Sequence, residues 1–235
     1  MLTVLSWLWT QPGGRTKFTS EHVAIWADMV RRNLSMPHRI ACVTDQRLPA
    51  GVERIDPPGE FEDIVPRWGP HRPNCFRRLS MFRRDAAKLF GERFVCMDLD
   101  VIVGGPLDPL FDRKEDLVLF NGTDASRPYN GSMMLITAGC RPQVYEDFNQ
   151  AAADESGDLF FGSDQAWLCH KLGPNEATWG EADGVWFYGD HYRRQMRKAD
   201  PKVLFFPGKW KPWHLSPIFP WMREHYRIVK QREAA

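Results

Sequence analysis

The sequence predicts a single α/β domain, built on a mostly parallel central sheet with helices on its faces. A strand, a helix and a second strand open the chain, and further apolar runs of strand length follow. The chain has 235 residues, of which 43% are hydrophobic, so it is long enough to bury one full core. We therefore expect residues 1–235 to form one domain.

The first elements predict a parallel pair of strands joined by a helix. The apolar run Leu2–Leu8 is typical of a buried strand, and residues 12–14 are typical of a turn. Ser20 can cap a helix that runs to about Arg32, and Arg39–Thr44 follows as a second strand. This order implies a parallel βαβ unit.

The middle of the chain predicts a helix that leads into a buried strand. Residues 49–73 are rich in proline and glycine and are predicted to be mostly loop. Apolar residues recur at helical spacing over residues 77–90, Gly91 ends the pattern, and the strand Phe94–Met97 follows. The later predicted elements are a short turn or helix at Leu107–Phe111, strands at Asp116–Phe120, Ser132–Ile136 and Lys202–Phe206, and helices at Arg141–Asn149, Ser163–Lys171 and Pro217–Lys230.

Charge is balanced overall but concentrated in two basic segments. The formal net charge is +1, so no overall field selects a partner. Two interpretations of the basic segments remain open: solvated helix faces, or a few cations that converge on phosphates. The basic residues are Arg67, Arg72, Arg77, Arg78, Arg83, Arg84 and Lys88 in the first segment, and Arg193, Arg194, Arg197, Lys198, Lys202, Lys209 and Lys211 in the second.

The cysteines and the apolar segments indicate a cytoplasmic protein. The five cysteines are widely spaced and form no C-x-x-C pair, which is typical of reduced, buried thiols. The apolar segment Met1–Trp9 has no basic residue before it and no small-residue cleavage site, so we expect a first strand rather than a signal peptide. No apolar stretch approaches the length that spans a membrane.

Asp98 and Asp100 are the most informative residues of the sequence. They follow the strand Phe94–Met97, and ligands bind at the carboxyl ends of strands in open α/β sheets. Two like charges buried together are costly unless a cation joins them. Mg²⁺ and Mn²⁺ bind carboxylate oxygens and keep positions open for phosphate. The pair therefore predicts a site for a divalent cation and a nucleotide diphosphate that carries a group to be transferred.

Four further segments place polar groups beside glycine or proline, as expected of loops gathered at one rim. They are Arg78-Leu79, Asn130-Gly131-Ser132, Gly162-Ser163-Asp164-Gln165 and Gly208-Lys209-Trp210-Lys211-Pro212-Trp213. Together with the aspartate pair, in this order, they resemble GT-A glycosyltransferases, most closely glycosyltransferase family 8, the galactosyltransferase and glycogenin type. That family has an arginine before the metal strand, then D-x-D, N-[AS]-G, D-Q-D and H-x-x-G-x-x-K-P-W. The resemblance covers residues 76–213, and the N-terminal third matches in outline.

The resemblance implies a fold and an activity. The fold would be of the GT-A type with a Rossmann-like sheet, in which residues 1–100 bind the nucleotide and residues 101–235 bind the donor sugar and the acceptor. The activity would be metal-dependent transfer of a sugar from a nucleotide-diphosphate donor, UDP-linked, to a hydroxyl with retention at the anomeric carbon. The implied cofactors are Mn²⁺ or Mg²⁺ and the nucleotide sugar.

Individual roles follow from the same resemblance. Asp100 would bind the metal, and Asp98 would contact the metal or the ribose. Lys211 would meet the diphosphate, and Arg78 would reach the diphosphate or the donor sugar. The other implied contacts are those of Asp164, Gln165 and Asn130 with the sugar and those of Gly208 and Trp213 with the donor. The candidate catalytic residues are Asp164, Gln165 and Lys211.

Three positions depart from the family pattern. The asparagine motif lacks the small residue that the family has between asparagine and glycine, and it reads Asn130-Gly131-Ser132. Ala166 stands where the family has a third acidic residue. The family's metal-binding histidine falls on Phe205, whose phenyl ring cannot bind a metal. We expect His214 to supply the missing imidazole, with His191 or water as alternatives.

Structural roles remain open for several of these residues. Arg78 also fits a helix surface, Asp164 also fits a helix N-terminus, and Asn130 also fits a turn. Five tryptophans lie in predicted loops, and we expect two or three of them at the site, because aromatic faces stack on sugars or bases. These tryptophans are Trp68, Trp179, Trp186, Trp210 and Trp213.

The acceptor and two rival functions remain open. A glycan or lipopolysaccharide core is the expected acceptor, but the basic segments also permit a polyanion, including a hydroxylated base in DNA. A nucleotidyltransferase also pairs aspartates with a metal, although this sequence has no glycine-rich triphosphate loop beyond Gly13-Gly14-Arg15. A non-catalytic module that binds nucleotide sugars or glycans would account for the missing histidine.

Overall fold

The fold consists of a seven-stranded sheet and a three-stranded sheet with helices packed against them. The structure, a computed structural model, describes residues 1–10, 16–67, 69, 74–124, 126–160, 162–189, 192–193 and 200–228. The strands are β1 (Leu2–Leu8), β2 (His38–Thr44), β3 (Glu53–Ile55), β4 (Arg93–Met97), β5 (Val101–Val103), β6 (Leu117–Asp124), β7 (Arg127–Thr137), β8 (Ala177–Trp179), β9 (Val185–Phe187) and β10 (Val203–Phe205). The α-helices are α1 (Ser20–Asn33), α2 (Ala87–Phe90), α3 (Asp108–Phe111), α4 (Gln143–Glu146), α5 (Gln150–Leu159), α6 (Asp164–Leu172), α7 (Pro212–Leu215) and α8 (Pro220–His225), and 3₁₀ helices span Phe76–Phe82, Gly173–Asn175 and Glu181–Asp183.

The seven-stranded sheet has the order β3-β2-β1-β4-β7-β6-β8. β1 pairs in parallel with β2 and β4, and the outer strands β3 and β8 are also parallel to their neighbours. β7 runs antiparallel to both β4 and β6. The prediction of an α/β fold with a mostly parallel central sheet is therefore confirmed.

Each face of this sheet carries its own hydrophobic cluster, because successive strand residues point to opposite sides. In β4, Val95 and Met97 join the cluster that includes α1, whereas Phe94 and Cys96 join the cluster that includes α4, α5 and α6. Trp26 of α1 is fully buried in the first cluster. β4 is thus held from both faces, which fixes the position of the residues that follow it.

The single helix predicted over residues 77–90 is wrong. The 3₁₀ helix ends before Arg83, where the backbone is extended (ψ 147°), and α2 begins after a turn. The Arg83 guanidinium holds this break by donating to Asp85 (2.9 Å) and to Glu60 (2.6 Å). The 3₁₀ helix is buried along most of its length, so its apolar residues pack on several sides rather than on one helical stripe.

Other boundaries also differ from the sequence-based prediction. Residues 49–73, predicted to be mostly loop, are loop in their described part apart from the short strand β3. The helix predicted at residues 141–149 is only the short α4, and the longer α5 follows it. Asn149 caps α5, because its side chain accepts a hydrogen bond from the N–H of Ala152 (3.1 Å). The terminal helix predicted over residues 217–230 shortens to α8.

Candidate active site at the carboxyl edge of the sheet

Asp98 and Asp100 lie directly beyond the C-terminal end of β4. The chain then leaves the central sheet, and β5 pairs with β10 in the three-stranded sheet. The N–H of Asp98 donates to the carbonyl of Ser132 (2.9 Å), and the N–H of Phe206 donates to the carbonyl of Asp100 (2.9 Å). These two bonds bring β7 and the end of β10 to the aspartates.

A bulge in β7 directs the asparagine motif to this edge. Leu119 of β6 pairs with Met134, whereas the next residue, Phe120, pairs with Asn130. Residues 131–133 are therefore inserted between two successive pairs. Such bulges bend a strand locally and re-aim its side chains. Here the bulge turns the motif toward the end of β4.

Arg78 joins two of the predicted site carboxylates. It is buried in the 3₁₀ helix, and its Nη1 donates to Asp98 Oδ1 (2.5 Å). Its Nε and Nη2 both donate to Asp164 Oδ2 (2.8 Å and 2.5 Å). Burial lowers the pKa of Arg78, but the charges of Asp164 and Asp98 outweigh this effect and hold it well above its ordinary value. The guanidinium is thus a permanent cation that fixes the two carboxylates relative to each other.

Asp164 is the first residue of α6 and is almost fully buried. Its Oδ1 accepts a hydrogen bond from the N–H of Gln165 (2.9 Å). The hydroxyl of Ser163 accepts one from the N–H of Cys75 (3.1 Å), which ties the start of α6 to the 3₁₀ helix. Burial raises the pKa of Asp164, although Arg78 opposes this rise. The residue therefore begins a helix and belongs to the charged cluster at the same time.

Gly131 packs directly against the pair formed by Arg78 and Asp164. A Cβ atom at this position would lie 2.5 Å from Arg78 Nη2 and 3.1 Å from Asp164 Oδ2. Both separations are shorter than ordinary van der Waals contact, so a side chain is excluded here unless the pair moves. The sequence shows the glycine between Asn130 and Ser132, but its contact with Arg78 could not be inferred from that spacing.

Lys211 is the second buried cation of the cluster. Its ammonium group donates to Asp100 Oδ2 and to the carbonyl of Phe206 (2.8 Å), and the residue is 4% exposed. Burial raises the pKa of Asp100, the charge of Asp98 adds to this rise, and Lys211 opposes it. The structure thus places one cation on each aspartate of the D-x-D motif.

Asn130 and Gln165 extend the cluster along the rim. Asn130 Nδ2 donates to Gln165 Oε1 (2.9 Å), and Asn130 Oδ1 accepts from the N–H of Ser132 (2.8 Å). Asn130 therefore stabilises the turn of the bulge and also contacts the start of α6. All five motifs that the sequence analysis singled out meet at this edge.

The chain is similar to several solved glycosyltransferases. It matches the galactosyltransferase LgtC, solved with donor and acceptor sugar analogs, with a TM-score of 0.60 and 12% identity over 97% of this chain and 98% of that one. It matches GlyE of Streptococcus pneumoniae with a TM-score of 0.60 and 14% identity over 99% of this chain and 67% of that one. For mouse xyloside xylosyltransferase 1 the TM-score is 0.53 and the identity 9%, over 86% of this chain and 96% of that one. The chain has the GT-A glycosyltransferase fold. No protein-family model and no curated protein matches its sequence.

The remaining predicted residues of this GT-A site lie around Lys211. His214 is exposed, and its Nδ1 accepts a hydrogen bond from the N–H of Lys211 (3.3 Å). Trp213 packs against His22 of α1, with ring centroids 4.3 Å apart. A Cβ atom added to Gly208 would meet no atom within 4 Å. In the part of the chain that the structure describes, no group of three or more His, Cys, Asp or Glu side chains is placed to hold a metal ion.

Phe205, at the position of the family's histidine, belongs to the hydrophobic core. It is 1% exposed, its ring centroid lies 5.3 Å from that of Phe120, and it pairs with Val101 in the three-stranded sheet. This position of the GT-A fold therefore serves packing here. His191, the alternative to His214, lies outside the described residues.

The expectation that two or three loop tryptophans line the site fails for Trp179 and Trp186, which are buried in β8 and β9. Trp179 donates through Nε1 to the carbonyl of Leu110 (3.0 Å), as a core residue does. Trp210, next to Lys211, is 49% exposed, and Trp68 lies outside the described residues.

The first basic segment is largely neutralised by neighbouring carboxylates. Its ion pairs other than those of Arg78 are Arg67 with Asp158, Arg77 with Glu62, Arg83 with Glu60 and Asp85, Arg84 with Glu146 and Lys88 with Asp85. Four basic residues of the two segments lie outside the described residues, namely Arg72, Arg194, Arg197 and Lys198. Among the described cations of the two segments, Arg78 and Lys211 bind the site carboxylates.

Proposed function

We propose that this chain transfers a sugar from a UDP-linked nucleotide-diphosphate sugar to an acceptor hydroxyl with the help of a divalent cation. The observation that supports this most is the cluster at the carboxyl edge of a GT-A sheet, where Arg78 and Lys211 bind three carboxylates. Open α/β sheets bind their ligands at this edge. The donor already carries the driving force, so the protein has to position it and to stabilise the leaving diphosphate.

The charge of the cluster favours an additional cation. Three carboxylates face two cations, so the cluster carries one negative charge when all five groups are ionised. A nucleotide diphosphate adds further negative charge, which a partly buried site of the same sign would repel. A divalent cation removes this repulsion, and Mg²⁺ commonly binds through one or two carboxylates together with substrate phosphates.

The side chains present fit such an ion. Asp98 and Asp100 offer hard oxygen donors, which suit Mg²⁺ or Mn²⁺. Each of them uses one oxygen for its cation and has a second oxygen on the same carboxylate. Because Phe205 occupies the position of the family's metal-binding histidine, we propose that His214 supplies the imidazole ligand instead. To bind the ion, His214 would have to give up its hydrogen bond with the N–H of Lys211. When bound, the ion would act as a Lewis acid on the diphosphate and neutralise the leaving group.

The other side chains of the cluster are proposed to hold the donor. Lys211 binds the diphosphate through its ammonium group, and Arg78 keeps Asp98 and Asp164 in place. Gln165 and Asp164 contact the transferred sugar, because its hydroxyls need both donors and acceptors. The remaining proposed contacts with the donor are made by Asn130, Gly208 and Trp213.

We propose that the anomeric configuration is retained. Inversion needs a carboxylate that is free to act as a base toward the acceptor. Asp164 is bonded through Oδ2 to Arg78 and through Oδ1 to the N–H of Gln165, so it is held as a fixed contact. This arrangement supports a role in positioning the sugar.

The proposed acceptor is a glycan or a lipopolysaccharide core. Two basic segments suggested a polyanionic acceptor, and the first of them, from Arg67 to Lys88, is ion-paired at most of its described positions, which disfavours DNA at that segment. A neutral glycan predicts that acceptor binding changes little with ionic strength, whereas phosphate contacts would make it fall steeply.

We also propose a division of the chain and a location. Residues 1–100 would bind the nucleotide, and residues 101–235 would bind the donor sugar and the acceptor. All five cysteines are free thiols, which suits the reducing cytoplasm. Among the described residues, no helix combines the length and apolar character needed to cross a bilayer.

A panel of nucleotide sugars incubated with Mn²⁺ and glycan acceptors tests the proposal, with released nucleotide diphosphate as the readout. Asp100→Ala is expected to abolish metal-dependent release, because it removes a proposed metal ligand. Asp56→Ala is the matched control, since Asp56 pairs with Arg54 on the exposed surface. Undiminished release by a folded Asp100→Ala variant would refute the assignment.

Two other outcomes would favour the rival functions. Binding of UDP without release of nucleotide diphosphate from any donor sugar would favour a non-catalytic binding module. This outcome is worth testing because the phenyl ring of Phe205 cannot bind a metal ion. Release of pyrophosphate from a nucleoside triphosphate would favour a nucleotidyltransferase.

A further inference from the structure

We infer that Lys211 exchanges between Asp100 and the diphosphate of the donor, so that the divalent cation and the nucleotide diphosphate bind cooperatively. This inference rests on the proposed function. The Lys211 ammonium is bonded to Asp100 Oδ2 inside the protein, where only 4% of the residue is exposed. A metal ion at the same carboxylate would be repelled by that ammonium, because like charges at close range interact strongly in a partly buried site.

The exchange needs little movement of the chain. The N–H of Phe206 donates to the carbonyl of Asp100 (2.9 Å), and the carbonyl of Phe206 accepts from the Lys211 ammonium (2.8 Å). Phe206 thus holds both partners close to each other. An ammonium group has three donors, so Lys211 can keep its bond to Phe206 while it turns from the carboxylate to a phosphate oxygen.

Arg78 is not suited to the same exchange. Its planar guanidinium makes three hydrogen bonds to Asp98 and Asp164, and Gly131 packs against it. The ammonium of a lysine sits on a flexible stem and has rotatable donors, whereas the guanidinium fork is rigid. Asp98 therefore stays paired with Arg78, whereas Asp100 becomes available to the metal ion when Lys211 turns away.

The consequence is a coupling between the two ligands. Lys211 competes with the metal ion for Asp100 until a diphosphate offers it another anionic partner. The diphosphate therefore strengthens metal binding, and the metal ion strengthens diphosphate binding by the same factor, because such coupling is reciprocal.

Binding of Mn²⁺, followed by the electron paramagnetic resonance of the free ion, tests the exchange without any turnover. In the wild-type protein, saturating UDP is expected to strengthen Mn²⁺ binding by at least about tenfold, which corresponds to about 1.4 kcal/mol. Lys211→Met keeps the apolar stem and removes the charge. It is expected to bind Mn²⁺ alone at least about fivefold more tightly than the wild type, and to bind UDP more weakly.

Two control variants isolate the effect. Lys209→Ala removes the same charge two positions away, where the ammonium lies over the Trp210 ring (5.3 Å), and is expected to change Mn²⁺ affinity by less than about twofold. Asp100→Asn is expected to abolish tight Mn²⁺ binding in both the wild-type and the Lys211→Met backgrounds, which shows that the measured site is this one. Lys211→Gln, which keeps a donor for the Phe206 carbonyl, replaces Lys211→Met if the latter does not fold.

The outcomes separate the exchange from the proposed function. If UDP and Mn²⁺ bind the wild type cooperatively but the neutral variants bind Mn²⁺ alone no more tightly than the wild type, the exchange is wrong and the proposed function stands. If the wild type binds no Mn²⁺ even with UDP present, both are wrong.

Discussion

A methyl group at Gly131 is predicted to disrupt the buried ion pair at the centre of the site. In Gly131→Ala, the added Cβ would lie 2.5 Å from Arg78 Nη2 and 3.1 Å from Asp164 Oδ2, whereas ordinary contact begins at 3.4 Å. The guanidinium would therefore have to retreat by about 1 Å. That movement lengthens its hydrogen bonds to Asp98 and Asp164 together.

The expected loss of stability follows from those bonds. A hydrogen bond to a charged group contributes about 1.5–3 kcal/mol, and removing one partner of a buried ion pair costs about 3–5 kcal/mol. A displacement weakens the bonds without removing a partner, so we expect a loss of about 2–3 kcal/mol in the free energy of unfolding. For a chain of this size that lowers Tm by about 5–10 °C.

Thermal unfolding followed by circular dichroism measures this loss. Gly59→Ala is the matched control, because its added Cβ would meet no atom within 4 Å, and its Tm should change by no more than about 2 °C. In an Arg78→Lys background, which removes the clashing guanidinium, Gly131→Ala should cost much less. The reasoning would be contradicted if Gly131→Ala lowered Tm no more than Gly59→Ala does. It would also be contradicted if Gly131→Ala lowered Tm equally in the wild-type and the Arg78→Lys backgrounds.

Two further predictions concern pH and residues outside the cluster. Backbone and hydroxyl hydrogen bonds from Ser35, and the N–H of Met36, lower the pKa of Asp108. The contribution of the Asp108 carboxylate is therefore present at neutral pH and is lost progressively as the pH falls from about 4 through its lowered pKa. Solvent screens this carboxylate near the surface, so Asp108→Asn should lower the unfolding free energy by about 1 kcal/mol at neutral pH and by progressively less below about pH 4, in urea titrations. Burial lowers the pKa of His22 below 6.5, although the charge of Glu21 and a backbone hydrogen bond with Thr19 oppose this. The stability that neutral His22 contributes is therefore lost as the pH falls below about 6.5. The Nδ1 atom of His22 also accepts a hydrogen bond from the N–H of Thr19 (3.0 Å). His22→Gln can accept the same N–H, and it should lose less stability than the wild type between about pH 7 and about pH 5; equal losses would exclude His22 as the cause.

Elements with strong local signals could be predicted from the sequence. The run Leu2–Leu8 coincides with β1, because a strand buried on both faces needs a continuous apolar stretch. The helix predicted from Ser20 is α1, whose buried residues recur at helical spacing. In both cases the spacing of apolar residues within the element itself is enough to predict the element.

Elements shaped by distant contacts could not be predicted. The break at Arg83 depends on Glu60, which is 23 positions away in the chain. α5 has a polar sequence with few apolar residues, so its short buried face leaves no clear stripe. Trp179 and Trp186 lie in three-residue strands, and their burial comes from the strands around them rather than from a local pattern.

The residues of the candidate site were predicted, but not their pairing. The order of the motifs indicates one rim, since strand ends and the loops after them meet there. The bonds from Arg78 span 20 positions to Asp98 and 86 positions to Asp164, and no local pattern specifies such partners. The structure supplies this pairing, which makes Arg78 a link between two carboxylates rather than a surface residue.

The bulge in β7 constrains the number of residues in this segment as well as their identity. Met134 and Ile136 face one hydrophobic cluster, whereas Met133 and Leu135 face the other. Deleting one residue from 131–133 would either invert every later side chain of β7 or pull the preceding asparagine away from its partner on α6. Among related sequences, this stretch should therefore tolerate neither insertions nor deletions, while the exposed turns of the molecule remain free to vary in size.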